Sequence, residues 1–156
     1  MARWKVDISY RQIVVFSPEL KDPLCEWAPE HLAQGFTWEP GYVAFTSIDD
    51  GRVDLDVQMG SCEPRESAQH VIRVPFELRQ GWRLKVGGLF MNHVVWLKHG
   101  QYALTFEHGD SDDGSRWCTL WFERVESPVE PSIIKGPMAG ATALVMEAEP
   151  AGGPDE

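Results

Sequence analysis

Between Gly51 and Met59 every second residue is apolar: Val53, Leu55, Val57 and Met59 alternate with Asp54, Asp56 and Gln58. Successive side chains on a strand point to opposite faces, so this segment reads as a half-buried strand with an acidic solvent face. The same alternation recurs in Ile72, Val74, Phe76 and Leu78, in Trp82, Leu84 and Val86, and in Tyr102, Leu104 and Phe106. Shorter strands are expected over residues 36–38, 42–46 and 93–97. Pro40-Gly41, Asp49-Asp50-Gly51, Gly87-Gly88 and a polar hairpin tip across residues 108–115 supply the turns between them. Residues 116–125 carry Trp117, Cys118, Leu120, Trp121 and Phe122, a run apolar on both parities and so expected to be covered on both faces. Residues 6–16 read as one long strand, bulged or bent near Gln12, because the apolar parity slips between Tyr10 and Ile13. Pro75 lacks a donor and predicts a sheet edge or a bulge. The one convincing helix is short, opened by Pro29 and closed by Gly35.

About eight short strands at roughly ten-residue spacing fit an all-β protein, an antiparallel β-sandwich with one short helix; an open β-barrel is the alternative. A chain of 156 residues forms one such domain, placed at residues 1–126. From residue 127 onward Pro128, Pro131, Pro137, Pro150 and Pro154 interrupt a stretch rich in Ala, Gly and Glu. Residues 127–156 are expected to be a mostly disordered tail, in which only residues 141–146 could pair with a sheet edge.

The net charge of -10 sets the class of partner. Its field repels nucleic acid and anionic membrane and attracts cationic surfaces, so direct nucleic-acid binding is not expected. There is no apolar leader after Met1 and no apolar run of the roughly 20 residues that span a bilayer, and a cytoplasmic location is the expectation. Cys25, Cys62 and Cys118 form an odd set without CxxC spacing and read as free thiols. The histidines form no HxH, HxxxH or HExxH pattern. In the calcium-like run from Asp110 to Gly114, the final ligand position would fall on Trp121, which has no carboxylate. With no GxSxG, P-loop or GxGxxG motif either, no metal, cofactor or catalytic activity is expected. What remains is two groups of carboxylates: Asp49, Asp50, Asp54 and Asp56, and Asp110, Asp112 and Asp113. Such clusters suit docking to a basic protein surface. Two rival readings are a hydrolase using paired carboxylates and a carbohydrate-binding module using exposed members of the seven Trp.

The segments DISYRQIVVF, WAPEHLAQGFTWEPGYVAF, VIRVPFEL and GQYALTFE, spread across most of residues 7–125, resemble the competence protein J family. That resemblance implies a cofactor-free inhibitor of the DNA-entry nuclease of bacterial transformation, or a related immunity protein. Nucleases hold phosphate backbones in basic grooves, and a carboxylate-rich surface can occupy such a groove by charge complementarity. The family supplies no contact residues; the seven aspartates above come from clustering alone.

Overall fold

In chain order the elements are β1 (Ala2–Ile8), β2 (Ile13–Phe16), α1 (Pro29–Gln34), β3 (Phe36–Glu39), β4 (Tyr42–Phe45), β5 (Gly51–Met59), β6 (Ala68–Leu78), β7 (Leu84–Gly87), β8 (Asn92–Val95), β9 (Gly100–Asp110), β10 (Arg116–Val125) and β11 (Ser132–Lys135). They are taken from a computed structural model that describes residues 2–20, 29–46, 48–136, 138–140 and 144. The strands form a six-stranded sheet in the order β1-β5-β10-β9-β6-β11 and a five-stranded sheet in the order β3-β4-β2-β7-β8. Their inner faces pack as a sandwich rather than a closed barrel. Every pairing is antiparallel except that of β5 with β10.

Among the described residues there are eleven strands, where about eight were expected. Part of the surplus is a correction to residues 6–16. The parity slip there is not a bulge within one strand but the passage of the chain from the larger sheet (β1) to the smaller (β2). Tyr10 and Arg11, at φ 55° and 57°, form a two-residue turn in which Gln12 N–H donates to Ser9 O at 3.3 Å. Paired positive φ values match the twist of antiparallel strands. The other added strand, β11, falls within residues 127–156: it pairs with β6 and buries Ile133. Within residues 141–146 only Leu144 is described, half-buried against the core, and the rest lies outside the described residues.

Alternation assigns the core correctly along most of β5, where Val53, Leu55 and Val57 are fully buried and Asp54 and Asp56 face outward, but Met59 at the strand's end is exposed. Across the sandwich Phe45 stacks on Phe106 with ring centroids 4.5 Å apart. The short helix is present, and Gly35, at φ 89°, ends it by donating from its N–H to His31 O. Pro75 sits on β6 beyond the reach of β11, whose pairing stops at Arg73. Its carbonyl, on that open side, accepts the Trp38 indole N–H at 2.7 Å, and no ladder partner is lost.

The double-sided burial of β10 has a topological cause. Strands β5 and β6 run parallel within one sheet, so the chain between them must recross a sheet face. Residues 60–67 do so on the outer side. Ser61 Oγ donates to Glu123, Arg65 N–H donates to Glu107, and the Arg65 guanidinium lies 4.0 Å from the Trp117 ring. Beneath this strap Thr105, Glu107, Trp117 and Thr119 are buried although they point away from the main core. Burial also pushes the Cys62 thiol, on the strap, up to about 12, and that of Cys118 in the core higher still. Both are free; Cys25 lies outside the described residues. Among the described residues, no helix is long and apolar enough to cross a membrane.

Candidate protein-binding surface

The parallel pairing of β5 and β10 decides where the carboxylates go. In a parallel pair both strands start at the same end of the sheet, so the turns that precede them are neighbours. Asp49 and Asp50 precede β5; Asp110, Asp112 and Asp113 precede or flank the start of β10, where Trp117 is opposite Asp54. Two clusters about sixty positions apart in the chain therefore meet at one end of the sandwich. Arg116, the first residue of β10, clasps them together: its guanidinium donates to Asp49 O at 2.7 Å and to Asp50 O at 2.9 Å.

The seven aspartates differ in what already neutralises them. In the register of β1 with β5, Lys5 is opposite Asp54 and Arg3 opposite Asp56, and the side chains pair at 2.9 and 3.3 Å. Asp49 pairs with the Arg11 guanidinium at 3.6 Å, and Asp50 accepts the Arg11 N–H at 2.7 Å. Among the described residues no Lys or Arg forms an ion pair with Asp110, Asp112 or Asp113. Asp110, at the end of β9 rather than at the tip, accepts from Gln69 at 3.1 Å. Asp113 accepts from the Ser115 hydroxyl at 2.6 Å and its N–H at 2.9 Å, and these bonds hold its carboxyl below the ordinary range. The loop is further closed by Ser111 N–H donating to Ser115 O. Of the seven aspartates, the three of the β9–β10 hairpin, and Asp50, are thus without an ion pair among the described residues.

Beside this end is a cleft of about 380 Å³ whose walls include Arg11, Asp49, Asp110 and Arg116. It also contains a feature that sequence reasoning missed. His70 on β6 and His108 on β9 are paired in register, with stacked rings 4.8 Å apart and His70 Nδ1 2.9 Å from His108 Nε2, so that one ring donates and the other accepts. Burial lowers the His70 pKa, favouring the neutral ring. The sequence placed His108 in a loop, whereas β9 continues through it to Asp110. Only the long-range pairing of β6 with β9 brings the rings together, and no local spacing announces it. Among the described residues, no three or more His, Cys, Asp or Glu side chains are grouped so as to hold a metal ion.

The rival readings draw little from this geometry. Of the tryptophans described, Trp96 alone is exposed, at 82%, while Trp4, Trp38, Trp82, Trp117 and Trp121 are buried or half-buried. A carbohydrate platform needs several exposed rings, and Trp27 lies outside the described residues. The carboxylates that could form a hydrolytic pair, Asp54 and Asp56, are each tied to a cation of β1.

Comparison with known proteins agrees with the fold. The family model for Competence protein J (ComJ) matches residues 5–123. Among solved structures, the chain is similar to the crystal structure of ComJ, inhibitor of the DNA degrading activity of NucA, from Bacillus subtilis. The TM-score is 0.71 at 20% identity, covering 80% of this chain and 96% of that one. No curated protein matches the chain.

Proposed function

This chain belongs to the competence protein J family, and from that premise we propose that it binds and inhibits a DNA-degrading nuclease, in a competence-related or immunity role, through its acidic end. It acts by occupying the nuclease's basic groove in place of DNA. It performs no catalysis of its own, needs no metal or cofactor, and works in the cytoplasm without inserting into a membrane. The observation that carries this reading is the β9–β10 hairpin: Asp110, Asp112 and Asp113, without an ion pair among the described residues, beside Asp49 and Asp50. Asp54 and Asp56 lie on the adjoining sheet face and contribute less, because Lys5 and Arg3 offset them. A like-signed surface of this kind steers a basic partner into register before contact.

The test is DNA cleavage by the NucA-type nuclease of the same organism, titrated with this protein. Inhibition should saturate at one molecule per nuclease and weaken when Asp110 and Asp112 are replaced by Lys. Full cleavage at a severalfold excess of the unaltered protein would refute the proposal.

A further inference from the structure

Two turns beside the acidic end each present an aromatic side chain to solvent, and neither turn calls for one. Tyr10 occupies the β1–β2 turn at φ 55°, a conformation that suits Asn, Asp or Gly and penalises a bulky ring. Phe90 occupies the β7–β8 turn, closed by Gly88 N–H donating to Met91 O at 2.8 Å. Tyr10 is 70% and Phe90 77% exposed, and their rings meet edge to face with centroids 6.1 Å apart. The juxtaposition is built into the backbone. A Cβ on Gly88 would stand 2.4 Å from Asp7 O, so only glycine lets the second turn seat against the end of β1. In the same turn Leu89 packs inward against the cluster of Val14, Tyr42 and Ala44, leaving Phe90 turned out.

At such exposure neither ring holds the fold together. What they adjoin is the acidic end. The residue after Tyr10 is Arg11, whose N–H is held by Asp50 and whose guanidinium lies against Asp49. The carboxylates that face a partner thus also fix the turn that lifts Tyr10 out of the surface. Aromatic anchors next to a charged rim are what protein interfaces use to hold a partner once charge has guided it in.

We infer that Tyr10 and Phe90 form the apolar anchor of the surface that docks the basic nuclease, seated in an apolar depression next to its phosphate-binding groove while Asp49 and Asp50 meet its cations. This rests on the function proposed above and assigns the two kinds of residue different work. The carboxylates set the rate of association and its salt dependence; the rings set the rate of dissociation.

The experiment measures binding kinetics with the NucA-type nuclease of the same organism at low and high salt, using Tyr10→Asn, Phe90→Ser and the double variant. Asn accepts the left-handed backbone at position 10, so the turn is retained, and an unchanged thermal midpoint verifies it. The double variant should dissociate at least about 30-fold faster at both salt concentrations, with association within about threefold of the unaltered protein. Dissociation within about twofold, while the unaltered protein binds tightly, would overturn the anchor and leave the inhibitor reading standing. Failure of the unaltered protein to bind the nuclease would overturn both. A free protein that sediments as a dimer, and becomes a monomer in the double variant, would assign the rings to self-association and overturn the inference.

Discussion

Replacing Asp110 and Asp112 together by Asn removes two charges from the β9–β10 hairpin while sparing Asp113, whose bonds to Ser115 shape the turn. Suppose the two carboxylates approach three cations of a groove at about 10 Å. Each of the six pairs is then worth about 0.4 kcal/mol in water before screening. At 0.01 M salt the Debye length is about 30 Å and roughly 0.3 kcal/mol per pair survives; at 0.1 M it is about 10 Å and roughly 0.15 survives. The sums, about 1.8 and about 0.9 kcal/mol, correspond to association slowed about 20-fold and about 5-fold, and at 1 M salt the two proteins should associate alike. Stopped-flow mixing with the nuclease across this salt series reads the rate directly, with dissociation followed separately. A deficit that persists undiminished at 1 M would refute the reasoning, because a contact insensitive to screening is not long-range charge. Equal association of the two proteins at 0.01 M would show that the tip does not face the partner.

Three further outcomes follow from the fold. Leu55→Ala empties a fully buried site between β1 and β10 and should cost about 3 to 5 kcal/mol in chemical denaturation, whereas Asp54→Asn breaks only an exposed pair with Lys5 and should stay within about 0.5. Glu19 accepts the N–H and then the guanidinium of Arg83, which lowers its pKa from the ordinary 4.5 to about 2. Its charged form is the folded one, so its contribution is complete above about 4.5 and lost as the pH falls toward about 2; Glu19→Gln should flatten the stability profile in that window alone. Removing residues 127–156 uncovers Ile133 and part of β6 and should cost at least about 2 kcal/mol, visible as a lowered thermal midpoint. A midpoint unmoved by that truncation would show that β11 adds nothing to the sheet.

What could be read from the chain alone was whatever is local. The alternation through Val53, Leu55 and Val57 names the buried face of β5, and Pro29 and Gly35 bracket the helix, because each depends on neighbours a few positions away. The parity slip at Tyr10 was visible, yet a bulge and a change of sheet leave the same mark in sequence. Strand β11 was hidden for a different reason: four residues among prolines carry too little periodicity to stand out, and only the open side of β6 makes a strand of them. The His70–His108 contact and the meeting of Tyr10 with Phe90 depend wholly on which distant strands and turns become neighbours.

The same distinction separates the aspartates. Asp54 and Asp56 alternate cleanly with buried residues on one strand and form its acidic solvent face. But a strand inside a sheet has a neighbour in register, and here that neighbour offers Lys5 and Arg3 at the matching positions. Charge on a strand face can thus be answered within the sheet. Charge on a turn has no cross-strand partner by construction, and Asp112, past the last paired position of β9, keeps its field for whatever approaches. The parallel pairing of β5 and β10 then sets Asp49 and Asp50 alongside, because strands that start at the same end bring the turns before them together. Acidic residues at strand starts are therefore stronger candidates for docking in this fold than acidic residues along strands. Charge reversal at Asp54 and Asp56 should accordingly disturb the pairing with β1 more than it disturbs the binding of a partner.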